Sequence, residues 1–437
     1  MAAVAAICLA SDPAPDPPDP RNVVFVLTCT TRRDQLTPYG GPPAATPFLA
    51  ELADAGARFD DTIASSSWTK ESATAIFTGI PALDAGMADP GPGLGRRRLP
   101  DALTTLAEHL AAAGWWTAGV TANPHLDLRF GFGQGMAAYE GVVEKGFRKE
   151  NKRSAGDVVD AALRLVEGRT AAQRRQPLYL QLTTIDPHFP ITTTAEERAR
   201  FADSGAPPQL VPYRAMLRRL DDALARLEAA LTEAGIRPED TLWVVVADHG
   251  EGLTLPPHHR AQHGHVLYDS LVRVGWMMRG PGIPAGTRVH GLSSHLDVLP
   301  TVLGAVGVPV SPPEDPLARG FDWSPLLHAG GGTTVRSRAV AATWYEGAAR
   351  GSIWASDRAC QADWGSRGIR DDTFATACFD RRSDPTFTRP TEDPGLAAEL
   401  EQWHTAAQDR MKRIGPASNA PVDEPVREQL EALGYAE

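Results

Sequence analysis

Cysteine is scarce in this chain. Its 437 residues include only Cys8, Cys29, Cys360 and Cys378, and no two of these form a Cys-x-x-Cys pair. That spacing excludes a zinc ribbon, which uses such pairs to build its tetrahedral site. Cys360 and Cys378 lie close together late in the chain, where they are either joined in a disulfide or present as two free thiols.

Basic charge and long apolar runs are also in short supply. The chain has 43 Lys and Arg against 54 Asp and Glu, a formal net charge of −11. This balance argues against a nucleic-acid-binding surface but allows a small anionic ligand in a local basic pocket. No stretch approaches the roughly 18 uncharged apolar residues of a membrane-spanning helix. We therefore expect no membrane span.

The N-terminal region has little that a fold would bury. Residues 1–11 are apolar but lack a basic start, and residues 12–21 are rich in Pro and Asp. The composition predicts a disordered segment and linker over residues 1–21. If the apolar stretch is a truncated signal peptide, the protein is periplasmic or secreted; otherwise it is cytoplasmic.

The remaining sequence predicts an α/β fold. Runs of apolar and β-branched residues at 22–28, 178–185 and 242–247 have the length and composition of strands buried on both faces of a parallel sheet. Leucines at helical spacing lie between these runs. One stripe ends before Gly114 and the other before Gly235, and they consist of Leu103, Leu106 and Leu110, and of Leu217, Leu220, Leu224, Leu227 and Leu231.

The length predicts two domains, because 437 residues exceed the usual size of one. We expect a large domain over 22–334 and a smaller α+β subdomain over 335–437. Short segments containing Trp, Tyr and Arg follow residue 335 and are typical of antiparallel strands. A helical stretch from Gly395 to Ile414 comes after them.

Asp248 and His249 follow the third apolar run directly. Sites in open α/β sheets form beyond the carboxyl ends of the strands, so both side chains are placed to face one ligand. Carboxylate and imidazole together suit a divalent metal such as Zn, Mn, Mg or Ca, although His is less common in pure Mg or Ca sites. The alternative is a strand-end turn in which the Asp acts as a cap.

Histidines follow the strand ends at two further places. His188 lies between Pro187 and Pro190, which stiffen the loop after the second run, and it is either functional or structural. Further histidines cluster after His249 in a segment that is also rich in Pro and Gly. This segment is either a solvated loop or part of a functional site, in which His263 is the residue we favour for a functional role. The cluster comprises His258, His259, His263 and His265.

Hydroxyl groups are concentrated from Ser65 to Ser72, just before an apolar helical stretch. A hydroxyl at the start of a helix either caps it or acts as a nucleophile. The same helix end favours a bound anion.

Taken in order, these segments resemble the sulfatase family of the alkaline phosphatase superfamily. The resemblance runs from Asn22 to Tyr435 and rests on the blocks NVVFVLTCTTRRDQLTPYG, TPFLAELADAGARFDDTIASSSWT, RFGFGQGM, TTIDPHFP, VVVADHGEGL, HGHVLYDSLVRVGWMMRGPG, SSHLDVLPTVLGAVGV and REQLEALGYAE. It implies an alkaline-phosphatase-like fold, in which a mostly parallel mixed sheet lies between helices and a smaller sheet follows. It also implies hydrolysis of sulfate esters, or of phosphate esters and phosphonates.

The chain departs from the family pattern at the nucleophile. Sulfatases convert the first residue of a Cys/Ser-x-Pro-x-Arg motif to formylglycine, whereas the aligned residues here are Thr69, Glu71 and Ala73. Threonine does not undergo that conversion, so no formylglycine is expected. Cys29 takes the place of a metal-binding Asp, and the Gly-Lys-x-His block of the family aligns with a stretch containing Asn123.

The resemblance implies a role for each candidate residue. The residues implied for catalysis are Thr69, His188 and His263. Those implied for substrate binding are Lys70, Asn123, His188 and His263. One divalent metal ion, Ca, Mg, Mn or Zn, is implied at Asp248, His249, Cys29 and Asp186. Although distant in sequence, Cys29, Thr69, Asp248 and His249 are predicted to meet at one sheet edge. Two functions stay open: a hydrolase of a small anionic ester that uses the Thr69 hydroxyl, or a degenerate homologue that binds an anionic ligand or a protein without turnover.

Overall fold

The structure is a computed structural model that describes residues 20–88, 97–141, 152–202, 205–253, 263–310, 319–345, 348–366, 376–414, 417–421 and 427. The predicted N-terminal segment up to residue 19 lies outside the described residues, as do His258 and His259. Within the described part of the chain, no helix combines the length and apolarity needed to cross a bilayer.

A large mixed sheet forms the centre of the protein. Its strands are β1 (Asn22–Thr28), β2 (Ala57–Ile63), β3 (Trp116–Thr121), β4 (Ala138–Glu140), β5 (Leu178–Thr184), β6 (Thr241–Ala247), β7 (Arg273–Val274), β8 (Trp276–Arg279), β9 (Thr287–Ser294) and β10 (Gly331–Thr333). The order across the sheet is β10-β9-β2-β8-β6-β1-β5-β3-β4, and β7 pairs with β2.

The three predicted strands are adjacent at the middle of this sheet. β1 pairs in parallel with β5 on one side and with β6 on the other, so that Thr28 lies opposite both Thr184 and Ala247. All three strands are almost wholly buried, as their unbroken apolar runs predict. The sheet is mixed because β8 runs antiparallel to β6 and to β2.

The described helices include α1 (Pro47–Asp54), α2 (Thr69–Thr78), α3 (Leu106–Ala112), α4 (Ala155–Glu167), α5 (Ala195–Ala199), α6 (Leu210–Glu233), α7 (Asp269–Val272), α8 (Val298–Ala305), α9 (Ser324–His328) and α10 (Pro394–Ile414). All five leucines of the second predicted stripe are buried in α6. Leu103 precedes α3 instead of joining it, because Thr105 caps that helix by accepting a hydrogen bond from Glu108 N.

A second, antiparallel sheet follows residue 335, as the short Trp- and Tyr-containing segments predict. It has the order β11 (Ala339–Tyr345), β12 (Ala348–Trp354), β13 (Arg358–Ser366) and β14 (Thr376–Asp380), and α10 packs against it. Cys360 of β13 lies opposite Cys378 of β14, and the two are joined in a disulfide. The structure therefore contains the disulfide and not the two free thiols.

The smaller sheet holds the segment that follows His263. Thr343 Oγ1 donates a hydrogen bond to Gly264 O at 2.8 Å, and Gln361 Nε2 donates to Leu267 O at 2.7 Å. Arg350 bonds to the carbonyl oxygen of His265. Residues of the C-terminal part thus fix the backbone of a segment that lies beside the carboxyl edge of the large sheet.

Candidate active site

Cys29 and Asp248 lie side by side at the carboxyl edge of the large sheet. The backbone N–H of Cys29 donates to Thr184 O at 2.9 Å, and that of Asp248 donates to Thr28 O at 3.1 Å. These bonds continue the parallel ladders of β1 by one residue beyond each strand. The edge predicted from the three apolar runs therefore carries both side chains, and each is fully buried.

The backbone beside Asp248 has an unusual conformation. Thr30 has a φ of 53°, in the left-handed region that β-branched residues rarely adopt. Its N–H donates to Asp248 Oδ1 at 2.9 Å, and His249 N donates to the same oxygen at 2.6 Å. Two backbone donors thus fix the carboxylate. Its other oxygen, Oδ2, is buried without a hydrogen bond and lies 3.4 Å from His249 Nε2.

Thr69 is the first residue of α2. Trp68 occupies the N-cap position and provides no side-chain cap, while Ser66 Oγ accepts a hydrogen bond from Trp68 N at 3.2 Å. Thr69 is therefore not the capping residue, and its hydroxyl is directed elsewhere. Thr69 Oγ1 lies 3.3 Å from His249 Nε2.

The hydrogen bonds of His249 define its tautomer. Nδ1 lies 2.8 Å from Gly250 O, and since a carbonyl oxygen only accepts, Nδ1 carries the proton. Burial lowers the pKa of His249 below its usual value, against the opposing effect of Asp248. The ring is consequently neutral near pH 7, and Nε2 accepts the hydrogen bond from the Thr69 hydroxyl.

Asn123 connects the thiol of Cys29 with the hydroxyl of Thr69. Its Nδ2 lies 3.3 Å from Cys29 Sγ and 3.4 Å from Thr69 Oγ1. Burial and the Asp248 carboxylate raise the pKa of Cys29 well above the usual value for a thiol. The thiol is therefore protonated at neutral pH. The predicted convergence of Cys29, Thr69, Asp248 and His249 is confirmed by these contacts.

His263 extends the site through ring contacts. Its ring centroid lies 4.5 Å from that of His249, 5.1 Å from that of His188 and 5.4 Å from that of Trp68. Its Nδ1 is 3.2 Å from Glu251 Oε2, which accepts from it. The pKa of His188 is lowered well below its usual value by burial and by His263. Two histidines from separate loops thus join the group around Thr69.

Lys70 and Asp186 are bound to other partners. Lys70 Nζ donates to Arg97 O at 3.2 Å and lies 3.8 Å from the ring centroid of Phe130. Asp186 Oδ2 accepts from Ala155 N at 2.8 Å, at the start of α4, whereas its Oδ1 is buried without a hydrogen bond. Burial raises the pKa of Asp186 to about 6.

Two basic residues were missed by the sequence analysis. His125 is fully buried, its ring centroid is 5.7 Å from that of Trp68, and burial lowers its pKa well below the usual value. It lies two residues after Asn123, just beyond the stretch that was compared with the Gly-Lys-x-His block, so extending that stretch by one residue would have found it. Lys152 has no motif around it. Its Nζ donates to Asp186 O and His188 O, both at 2.7 Å.

A metal site does not emerge from geometry alone. Within the ranges that the structure describes, no three or more His, Cys, Asp or Glu side chains form a group that could hold a metal ion. The unpaired Asp248 Oδ2 is nevertheless a donor of the kind that a cation requires, and it faces His249 Nε2.

Comparison with known proteins agrees with this fold. The family model described as Sulfatase matches residues 21–308. Human arylsulfatase A is 27% identical over 363 residues, which cover 70% of this chain and 68% of that protein. An uncharacterized sulfatase, YidJ of Escherichia coli K12, is 23% identical over 350 residues, covering 66% of this chain and 68% of the other.

Solved structures show the same architecture. One protein, solved with its substrate D-glucosamine-2-N,6-O-disulfate, has a TM-score of 0.69 and 18% identity, with coverage of 91% of this chain and 99% of that one. The phosphonate monoester hydrolase of Agrobacterium radiobacter has a TM-score of 0.68 and 17% identity, with coverage of 91% of this chain and 96% of that one. At these identities the likeness establishes an alkaline-phosphatase-like fold.

Proposed function

Because the chain belongs to the sulfatase family, whose chemistry is ester hydrolysis, we propose that it cleaves a sulfate or phosphate ester, or a phosphonate, with the hydroxyl of Thr69 as the nucleophile. The observation that carries this proposal is the 3.3 Å contact between Thr69 Oγ1 and His249 Nε2. A hydroxyl is a weak nucleophile until an adjacent base accepts its proton. His249 has the required tautomer, and Gly250 O orients its ring.

In the first step the Thr69 oxygen bonds to phosphorus or sulfur while its proton passes to His249 Nε2, and the bond to the ester oxygen breaks. We assign His263 as the donor of a proton to the leaving oxygen, because its ring contacts both His249 and His188 and Glu251 orients it. Thr69 has no second hydroxyl, so water must then attack the phosphorylated or sulfated threonine. His263, which lost its proton in the first step, accepts the proton of that water, and His249 returns its proton to the Thr69 oxygen as the bond to phosphorus or sulfur breaks.

The charged oxygens of the substrate need donors. We assign Asn123 Nδ2 to this role, since it already lies 3.4 Å from Thr69 Oγ1, together with His188 and the N-terminal end of α2. Lys70 belongs to the same helix end, and in the proposal it contributes positive charge from behind Thr69. These assignments rest on position at the sheet edge and on donor chemistry.

We also propose a second form of the site, in which a divalent cation binds at Asp248 and His249 Nε2 with the Cys29 thiol as a further donor, and in which the lone pair of Nε2 serves the cation instead of the Thr69 proton. The buried, unpaired Oδ2 of Asp248 supports this, as does its 3.4 Å separation from His249 Nε2. Such a cation would lower the pKa of the attacking hydroxyl and offset charge on the transferred group. The donors are sulfur, nitrogen and oxygen, a mixture that suits Zn or Mn better than Ca or Mg. We assign Asp186, through its unpaired Oδ1, as a more distant oxygen donor to the cation.

A second candidate, binding without turnover, is favoured by one observation. Cys29 replaces a charged carboxylate with a thiol whose raised pKa keeps it neutral, so the site holds one negative charge fewer for a cation. A protein of this kind would bind an anionic ligand or a partner and release it unchanged.

Replacement of Thr69 separates the two candidates. The wild type, Thr69→Ser and Thr69→Val would be assayed with an aryl sulfate, an aryl phosphate and an aryl phosphonate monoester, with and without added Zn, Mn, Mg and Ca. We expect Thr69→Ser to keep measurable turnover and Thr69→Val to lose more than about 1,000-fold, as expected for the loss of a nucleophile. Thr74→Val is the matched control, because Thr74 lies on the same helix and its hydroxyl bonds to Lys70 O. Turnover in Thr69→Val equal to that of the wild type would remove Thr69 as the nucleophile, whereas no turnover in any of the proteins would favour the second candidate.

A further inference from the structure

A cavity lined by arginines lies beside the loop that follows β1. It has a volume of about 400 Å³, within the range of roughly 300–1,000 Å³ that small-molecule sites occupy. Four parts of the chain form its walls: the loop after Cys29, the start of α6, the segment from α7 to β7, and a loop after β14. The polar and charged lining residues are Arg32, Arg33, Asp34, Gln35, Asp269, Ser270, Arg273 and Thr386.

Two of the arginines converge on a single acceptor. Arg33 Nη2 donates to Asp60 O at 2.9 Å, and Arg273 Nη2 reaches the same oxygen at 3.5 Å. Two guanidinium groups this close repel each other. Accordingly, burial and the neighbouring Arg273 lower the pKa of Arg33.

Carboxylates compensate this charge only in part. Asp269, which also lines the cavity, opposes part of the positive charge of both arginines, and Asp61 binds Arg273 at 2.8 Å but is shared with Arg381 at 2.7 Å. Arg33 has no carboxylate within ion-pair distance in the described parts of the chain, and its Nε is buried without a hydrogen bond. A buried guanidinium donor without an acceptor is costly, and it points to an acceptor that the chain itself does not supply.

We propose that this cavity binds the oxyanion group of a small organic molecule, a carboxylate, sulfate or phosphate, between Arg33 and Arg273. The planar guanidinium fork matches two oxygens of such a group. Leu210 and Pro385 provide an apolar surface for the body of the ligand, and Gln35 provides an amide. Asp34 does not cancel this attraction, because Arg32 already binds both of its oxygens.

The cavity is separate from Thr69 but shares chain segments with it. Arg32 Nη1 donates to Glu251 O at 3.2 Å and to Gly252 O at 3.3 Å, just after the residues that hold His249. The loop after β6, which carries His249, therefore also contacts the wall of the cavity. Binding here requires no hydrolysis, so the inference does not depend on the proposed function.

Anion titration of matched variants tests the inference. Inorganic phosphate, sulfate and acetate would each be titrated by calorimetry at low ionic strength into the wild type, Arg33→Gln, Pro385→Glu and Arg175→Gln. Arg175 is exposed and distant from the cavity walls in sequence, so its replacement controls for the loss of one positive charge. Asn123→Ala would be included to identify any binding at the catalytic edge, where its amide is assigned to the charged oxygens.

We expect Arg33→Gln to weaken binding at least tenfold and Pro385→Glu to weaken it by charge repulsion at the exposed wall. Arg175→Gln should keep the affinity of the wild type. If Arg33→Gln does not fold, Pro385→Glu still tests the inference, because replacing Pro385 removes no internal hydrogen bond. The inference is overturned if none of the three anions binds the wild type at millimolar concentration. It is equally overturned if the cavity variants bind as tightly as Arg175→Gln.

Discussion

Thr69 and His249 are separated by 180 positions in the sequence, yet the Thr69 hydroxyl lies 3.3 Å from His249 Nε2. The contact joins the first residue of α2 to the loop after β6. The His249 ring is held by Gly250 O, and its Nε2 has a free lone pair for either a proton or a cation.

The pH dependence of turnover should reveal His249. Its pKa is lowered by burial, so Nε2 is unprotonated at neutral pH and becomes protonated only in more acidic solution. We expect kcat/KM to be constant near neutral pH and to fall as the pH decreases, with a midpoint below about 6.5, the reference value for histidine. His404→Gln, on α10, should leave the profile unchanged. A midpoint above the reference value would contradict the assignment of His249 as the base.

Metal retention should depend on Asp248. Replacing it with Ala removes the unpaired Oδ2 and the charge, so we expect purified Asp248→Ala to retain no divalent metal in elemental analysis. Asp248→Asn tests the same point in a variant whose amide oxygen still accepts from Thr30 N and His249 N. Asp160→Asn, at an exposed position of α4, is the control. Unchanged metal content in both Asp248 variants would remove this residue from the site.

The thiol of Cys29 should determine which cation binds. Because its pKa is raised by burial and by Asp248, it adds no negative charge at neutral pH. Cys29→Asp supplies a carboxylate, which hard cations prefer, so we expect tighter binding of Ca, Mg or Mn and no gain for Zn. Cys29→Ser, similar in size and neutral, is the control. Equal Ca affinity in Cys29→Asp and wild type would mean that position 29 does not face the cation.

The disulfide between Cys360 and Cys378 should stabilise the smaller sheet. It closes a loop with a sequence separation of 18, for which loop-closure entropy predicts about 3 kcal/mol. We expect the double replacement of both cysteines by Ala to lower the free energy of unfolding by about this amount in denaturant titrations. Wild type in reducing agent should match the double variant. If all three samples are equally stable, the disulfide contributes nothing under those conditions.

The central strands and the edge that carries the site were predictable because their signals are local. An unbroken apolar run such as 242–247 identifies a buried parallel strand, and the polar residues after it must lie at the edge. Lys152 was not predictable, because its ammonium reaches Asp186 O and His188 O from a segment without any motif. The arginine cavity was equally hidden, since the lining residues Arg33 and Arg273 are 240 positions apart.

The hydrogen bonds from the smaller sheet to residues 264–267 have a consequence for how the protein is divided. Thr343 and Gln361 hold Gly264 O and Leu267 O, so the backbone after His263 depends on strands that begin beyond residue 335. We expect a chain cut at that boundary to keep the large sheet but lose the position of His263. The boundary between the two sheets is therefore a change of architecture, and the proposed proton donor His263 depends on residues from both sides of it.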